Sequence, residues 1–338
     1  MKFKDKTQRI LIVAFVLTFM VALIIALFCH QNYVYNDPDV AVRGREQSRY
    51  NFLVLGRDSS ANLCDVIILA SIDFEGKEIN VMQIPRDTYF DIDGSHKKIN
   101  GLQNVLNSAD AAAKALGEAM SINIDYYLSL DLDTLARTVD SLSGIEVDVP
   151  FDMSYEDKSQ NLTIDIKAGK QTLDGKSAVQ FLRYRSGYIT GDLGRINAQK
   201  LFLNALFKKM GEIGNPFTLY KTCSLLLNSA DTNIKEQDVL SMGLKYNKLK
   251  GASVKYMTAP GEAVQDAESG AWYYVLSKEA SADILSKCFG LRVEKTDFDK
   301  NNKFVDKDDK SFYDIYNKYC EVRIYSADDV ENNEVNIN

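Results

Sequence analysis

The chain has 338 residues, 46% of them apolar and 26% charged, with a formal net charge of -7. That length can bury one large core or two modest ones, and the acidic balance argues against nucleic acid as a partner, which needs a basic face. Cys29, Cys64, Cys223, Cys288 and Cys320 are scattered and odd in number, so they support neither a zinc site nor a disulfide framework and read as small buried hydrophobes.

Lys2, Lys4, Lys6 and Arg9 form a basic segment, 1–9, ahead of an apolar run from Ile10 to Phe28. The run is long enough to cross a bilayer as a helix, and its basic flank belongs in the cytoplasm, which sends the rest of the chain outside. A cleaved signal peptide is the rival reading, disfavoured by the length of the run and by Phe28-Cys29-His30-Gln31, a poor cleavage site. Residues 29–48 are polar, carry Pro38 and Gly44, and read as a spacer.

Three strand-like runs follow, Tyr50–Gly56, Val66–Asp73 and Glu78–Ile84, the last two joined by the turn Phe74-Glu-Gly-Lys77. Links this short predict an antiparallel meander. An alanine-rich amphipathic segment spans Leu102–Met120, then come a strand at Asp125–Leu130, a helix at Asp133–Leu142 and a strand at Ile145–Val149 that Pro150 ends. Helices are expected at Ile196–Met210, Asn215–Leu227, Lys235–Tyr246 and Ser277–Cys288, with a strand at Val254–Thr258. The expected fold is α/β in an α-β-α layering: a mixed central sheet flanked by helices, preceded by one transmembrane helix. From Gly290 to the end the chain turns polar; Lys295–Lys310 reads as a solvated linker, and Glu321–Tyr325 as one added edge strand.

The meander carries a geometric consequence. With strands running up, down and up, Asp58, Asp65 and Arg86 meet at one edge of the sheet. Facing carboxylates need a proton or a cation between them, and hard oxygen ligands suit Mg2+ or Mn2+; as ordinary turn residues the same aspartates carry no chemistry. Asp87 is either a surface partner of Arg86 or the group that orients it.

The stretch Gln180–Gln199 gathers Arg183, Arg185 and Arg195 around a glycine-punctuated loop that opens a helix at Gly191-Asp192. Guanidinium groups grip carboxylate or phosphate oxygens in pairs, and free amides at a helix start attract anions. Arg183 and Arg185 share a side if that segment is extended, and Arg195 and Gln199 share a helix face.

From Arg49 to Phe289 the chain resembles the LytR-CpsA-Psr family. The resemblance rests on Leu55-Gly-Arg-Asp58, Cys64-Asp65, Ile84-Pro-Arg-Asp87, Lys98-Ile-Asn100, Asp174-Gly175, Arg183-Tyr-Arg185, Gly191-Asp192, Arg195 with Gln199, and Pro260-Gly261. It implies a catalytic domain over 49–289, a polar extension over 290–338, and a Mg2+-dependent phosphotransferase that moves a glycopolymer from a polyprenyl-pyrophosphate carrier to peptidoglycan, with pyrophosphatase side activity allowed. The polymer is teichoic acid, capsule or another wall polysaccharide. By the same resemblance Asp58 and Asp65 hold the metal; Arg86, Arg183, Arg185 and Arg195 clamp the pyrophosphate with Gln199 in support; and Asp192 organises the clamp. On chemistry alone the general base is Asp87 or Asp192, or else Asp58 or Asp65 where the metal does not occupy it fully. Phe202, Leu203 and Leu206 are either wall residues for the lipid tail or plain core packing. Leu63 and Ala198 stand where the family commonly has arginine, which motivates the alternative of a lipid-binding scaffold with reduced or lost turnover.

Overall fold

Alternating apolar residues build the meander first. A computed structural model describes residues 48–331 apart from 59–62, 96, 158–161, 189–190, 213–221, 223–224, 236–237, 239–241, 243–244, 250–251, 295–297, 299–302 and 307. The expected membrane span at 10–28 therefore lies outside the described residues, as do the spacer and most of the expected helices at 215–227 and 235–246; among the described residues no helix is long and apolar enough to cross a membrane.

Strands β1 (Arg49–Asp58), β2 (Leu63–Asp73) and β3 (Glu78–Gln83) pair antiparallel, as their short links require. After β3 come helix α1 (Leu102–Val105) and helix α2 (Ala109–Ala119). The expected single helix over Leu102–Met120 is thus broken: Asn107 adopts φ 51, and Ser108 caps α2 by accepting a hydrogen bond from Ala111 N. Strand β4 (Tyr126–Asp131) runs parallel to β1, a pairing that the intervening helices permit, and helix α3 (Leu132–Ser141) starts at once under the Asp131 cap.

Small hairpins occupy the stretch that followed: β5 (Ile145–Val149) pairs with β8 (Gly169–Leu173), and β6 (Met153–Asp157) with β7 (Leu162–Ile166). Then come α4 (Gly175–Arg183), α5 (Asp192–Gly211) and the short β9 (Asp231–Thr232). Strand β10 (Ser253–Thr258) lies parallel to β3; β11 (Gly261–Gln265) and β12 (Trp272–Leu276) form a hairpin; α6 (Lys278–Ile284) continues as a π turn to Phe289. Beyond lie α7 (Lys310–Tyr316), β13 (Ile324–Ser326) and α8 (Ala327–Glu331).

Among the described residues the central sheet has the order β13-β10-β3-β2-β1-β4-β9 and mixes parallel and antiparallel pairs. One face packs Ile68, Val81 and Tyr256 against Phe181, Ala198 and Phe202 of α4 and α5; the other packs Leu53, Leu69 and Met82 against Ala112 and Leu116 of α2 and Ile284 and Phe289 of the α6 segment. The expected layered fold with a mixed sheet is therefore the observed one. The linker reading of Lys295–Lys310 is corrected: Phe298, Phe304 and Val305 are buried on the second face beside Phe312 and Tyr316 of α7. Sparse apolar residues in a charged stretch suffice when a sheet face waits for them.

Candidate functional site

The parallel strands β1, β3, β4 and β10 end at one edge, the edge at which open α/β sheets hold ligands. There the β1–β2 register slips: Gly56 faces Val66 while Arg57 faces Cys64, so Asp65 is the extra residue of a β-bulge. A bulge re-aims a side chain, and this one puts Asp65 beside Gly56 and Val66 on the face covered by α4 and α5. Asp58 ends β1 opposite Leu63 in the register, two residues from Asp65; its side chain lies outside the described residues.

Pro85 ends β3 and starts a tight turn, with its carbonyl accepting from Thr88 N at 3.0 Å and Thr88 Oγ1 at 2.6 Å. The turn is tied down on both sides, because Arg86 O accepts from Asn100 N and Asp87 O from Tyr274 N. Arg86 Nη1 then reaches Asp65 Oδ1 at 2.6 Å. Asp87 bridges two cations, Arg86 Nε at 3.5 Å and Lys98 Nζ at 2.8 Å, a contact that both the surface-pair and the orienting reading of Asp87 allow. Lys98 also lies 5.2 Å from the ring centroid of Tyr273 in β12. It belongs to a quoted motif, but sequence reasoning gave it no role; its pairing with Asp87 is a product of the fold.

The arginine stretch is not extended throughout. Asp174 caps α4 by accepting from Ser177 N, and Arg183 is the last residue of that helix, with extended backbone resuming at Tyr184. Arg183 lines the same cavity as Asp65, and Arg185 Nη2 stands 3.5 Å from Asp65 Oδ1. Gly191 takes φ 59, a left-handed turn suited to glycine, and α5 begins at Asp192, whose side chain is outside the described residues. Arg195, only 1% exposed, places Nη1 3.9 Å from Asp65 Oδ1. One turn on, Gln199 accepts from Gln83 Nε2 at 2.9 Å and donates to Leu182 O at 3.4 Å, so it is pinned between β3 and α4. Gln83, missed in the sequence, is buried at the last position of β3, and no local pattern marks it.

Three guanidinium groups thus bear on one oxygen of a carboxylate that also lines an apolar cavity of about 280 Å³. Its walls include Phe52, Val54, Phe202, Leu203, Leu206 and Phe207, three of them the expected wall residues. Such an arrangement accepts an anion at the rim and an apolar chain behind it. Cys64, beside Asp65, is buried, and burial pushes its thiol up to about 12, so it has no nucleophilic form near neutrality. Cys64 and Cys288 are buried as expected, while Cys320 is half-buried.

The sequence matches the model of the LytR_cpsA_psr family over residues 25–289. The chain belongs to this family. Among curated relatives it is 27% identical over 215 residues to the polyisoprenyl-teichoic acid–peptidoglycan teichoic acid transferase TagV of Bacillus subtilis, covering 62% of this chain and 55% of TagV. It is 29% identical over 222 residues to the regulatory protein MsrR of Staphylococcus aureus strain COL, 64% of this chain and 66% of that one. For the transferase TagU of Oceanobacillus iheyensis the identity is 26% over 273 residues, with coverage of 77% and 82%. The chain thus spans little more than half of TagV.

Solved structures share the fold. The crystal structure of B. subtilis TagV superposes with a TM-score of 0.59 at 23% identity, covering 77% of this chain and all of that one. A structure of TagT bound to LIIa-WTA gives 0.55 at 20% identity, with coverage of 80% and 94%. Within this LytR-CpsA-Psr fold the two departures from the family pattern sit differently. Leu63 opens β2 at the site edge, half-buried, whereas Ala198 is fully buried on the inner face of α5, where an arginine side chain would meet apolar neighbours.

Proposed function

We propose that this chain is a membrane-anchored, extracytoplasmic phosphotransferase that moves a glycopolymer from a polyprenyl-pyrophosphate carrier to a hydroxyl of peptidoglycan. The observation that carries the reading is the convergence of Arg86, Arg185 and Arg195 on Asp65, a carboxylate in the lining of the apolar cavity. A lipid with an anionic head has the same two properties in the same order. The names of TagV and TagU as teichoic acid transferases support a wall polymer as cargo, and the apolar run at 10–28 would hold the enzyme where a membrane lipid meets the wall.

The β1–β2 edge fits Mg2+, with Mn2+ as a substitute. An ion of this kind takes one or two carboxylates, for which Asp58 and Asp65 stand two register positions apart, and completes its shell with water and phosphate oxygens. When bound, it would neutralise charge on the pyrophosphate and ease departure of the leaving phosphate. Arg86, Arg183, Arg185 and Arg195 share that neutralisation from the protein side, and Gln199, pinned by Gln83, supports the clamp. The acceptor oxygen forms a bond to the phosphorus next to the glycan. The bond from that phosphorus to the bridging oxygen breaks, polyprenyl phosphate leaves with the electron pair, and the hydroxyl proton passes to a carboxylate, Asp87 or Asp192.

The test incubates the chain in detergent with a polyprenyl-pyrophosphate glycan, Mg2+ and peptidoglycan fragments, with products followed by mass spectrometry. Glycan joined through phosphate to the acceptor is expected, abolished by chelation and reduced about a hundredfold or more by Arg86→Ala. Lipid that binds yet stays intact would replace this reading with the scaffold alternative, which Leu63 and Ala198 favour.

A further inference from the structure

The matched family region ends at residue 289, yet two later elements lie on the helix that carries Arg195 and Gln199. Strand β13 adds to the sheet by pairing Tyr325 with Tyr256 and Ile324 with Met257. Helix α8 follows directly, with Ala327 and Val330 buried. On α5, positions 200, 204 and 208 are spaced by four and so share one face. Each meets the C-terminal segment. Lys200 Nζ lies 5.4 Å from the Tyr325 ring centroid, Asn204 Nδ2 donates to Ala327 O at 3.3 Å, and Lys208 pairs with Glu331. The same face is tied to β10, since Lys200 donates to Thr258 Oγ1 at 2.7 Å and Tyr256 OH donates to Asn204 Oδ1 at 3.3 Å.

Lys200 is the unusual member. Its side chain is buried, directly after Gln199, and its amine contacts neutral acceptors, Thr258 and Asn197, and a ring face, with no carboxylate partner among the described residues. A buried amine held this way costs stability relative to an apolar side chain of its size. Rules of local consistency are broken in this manner where position matters. Thr258, its acceptor, faces Gln83 in the β3–β10 register, and Gln83 in turn holds Gln199. The contacts of Lys200 and of Gln199 therefore close on the same pair of strand ends.

We propose that residues 324–331 act as a positioning strap: through Lys200, Asn204 and Lys208 they set where α5 stands, and with it the reach of Arg195 and Gln199 to a pyrophosphate head group. The proposal rests on the function proposed above. Lys200, Asn204 and Tyr325 are positioning residues, since they act on the ligand through α5.

The experiment titrates the full-length chain in detergent with inorganic pyrophosphate in the presence of Mg2+, with thermal unfolding of each variant recorded alongside. Tyr325→Ala and Lys200→Met are expected to weaken pyrophosphate binding by about tenfold, while Tyr325→Phe, which keeps the ring face over the amine, retains most of it. Unchanged affinity in Tyr325→Ala and Lys200→Met, with only a lower melting temperature, would show a merely structural contact and overturn the strap. Wild-type protein that does not bind pyrophosphate would remove the proposed function and the strap with it, an outcome distinct from the first.

Discussion

Asp65 illustrates how much one residue's meaning depends on its surroundings. As a strand-start aspartate it is ordinary; as the bulged residue beneath three guanidinium groups it occupies the seat of an anion. Lys200 makes a residue-scale prediction with a sign that can be worked out. Burial lowers its folded pKa to about 7 from the usual lysine value. Between pH 7 and 10 the unfolded chain therefore binds the proton that the folded chain has released, so stability rises with pH across that window. Denaturant titrations at several pH values are expected to show wild type gaining on Lys200→Met as pH rises, by up to about 1.4 kcal/mol per unit. Parallel curves for the two proteins would contradict the buried, uncharged amine.

At the scale of elements, the site is built by contacts between helices that share no local sequence signal. Helix α4 packs so closely on α3 that a Cβ at Gly175 would fall inside contact distance of Ala136 O, and Gly175 N donates to Asp140 Oδ1 at 2.7 Å. The Asp174-Gly175 pair is thus a cap and a close approach, and it sets the direction in which α4 delivers Arg183. Gly175→Ala is expected to destabilise the fold by about 3 kcal/mol, measured by chemical denaturation, because backbone rather than a pliable side chain is in the way. An unchanged midpoint would mean that α4 can shift freely. The same helix decides a condition that the sequence leaves open: it is nine residues long and ends on Arg183, with extended backbone only from Tyr184, so the alternation Arg183-Tyr184-Arg185 spans a helix end rather than a strand.

Over the whole molecule, the sheet separates two cores, and the segment after the family match serves both. Phe298, Phe304, Val305, Phe312 and Tyr316 cover one face, while Ala327 and Val330 close the other. Deleting residues 290–338 is expected to leave an unstable, dye-binding protein rather than a trimmed domain, since each buried Phe or Val side chain among them contributes about 1.5–3 kcal/mol. Calorimetry and dye binding check this, and a cooperative melt at the wild-type temperature would refute it. The meander, the mixed layered fold and the meeting of Asp65 with Arg86 were legible in the sequence, because apolar alternation and short turns are local properties that act before any long-range contact. The motif residues Arg185, Arg195 and Gln199 were legible for the same reason, as side chains whose chemistry suits an anion wherever the chain puts them. The pinning of Gln199 by Gln83, the hold of Lys98 on Asp87 and the burial of a charged C-terminal stretch came from the assembled fold. Those facts depend on which surfaces are left uncovered once the sheet has formed, and burial of that kind is a property of the assembled layers, not of any window of sequence.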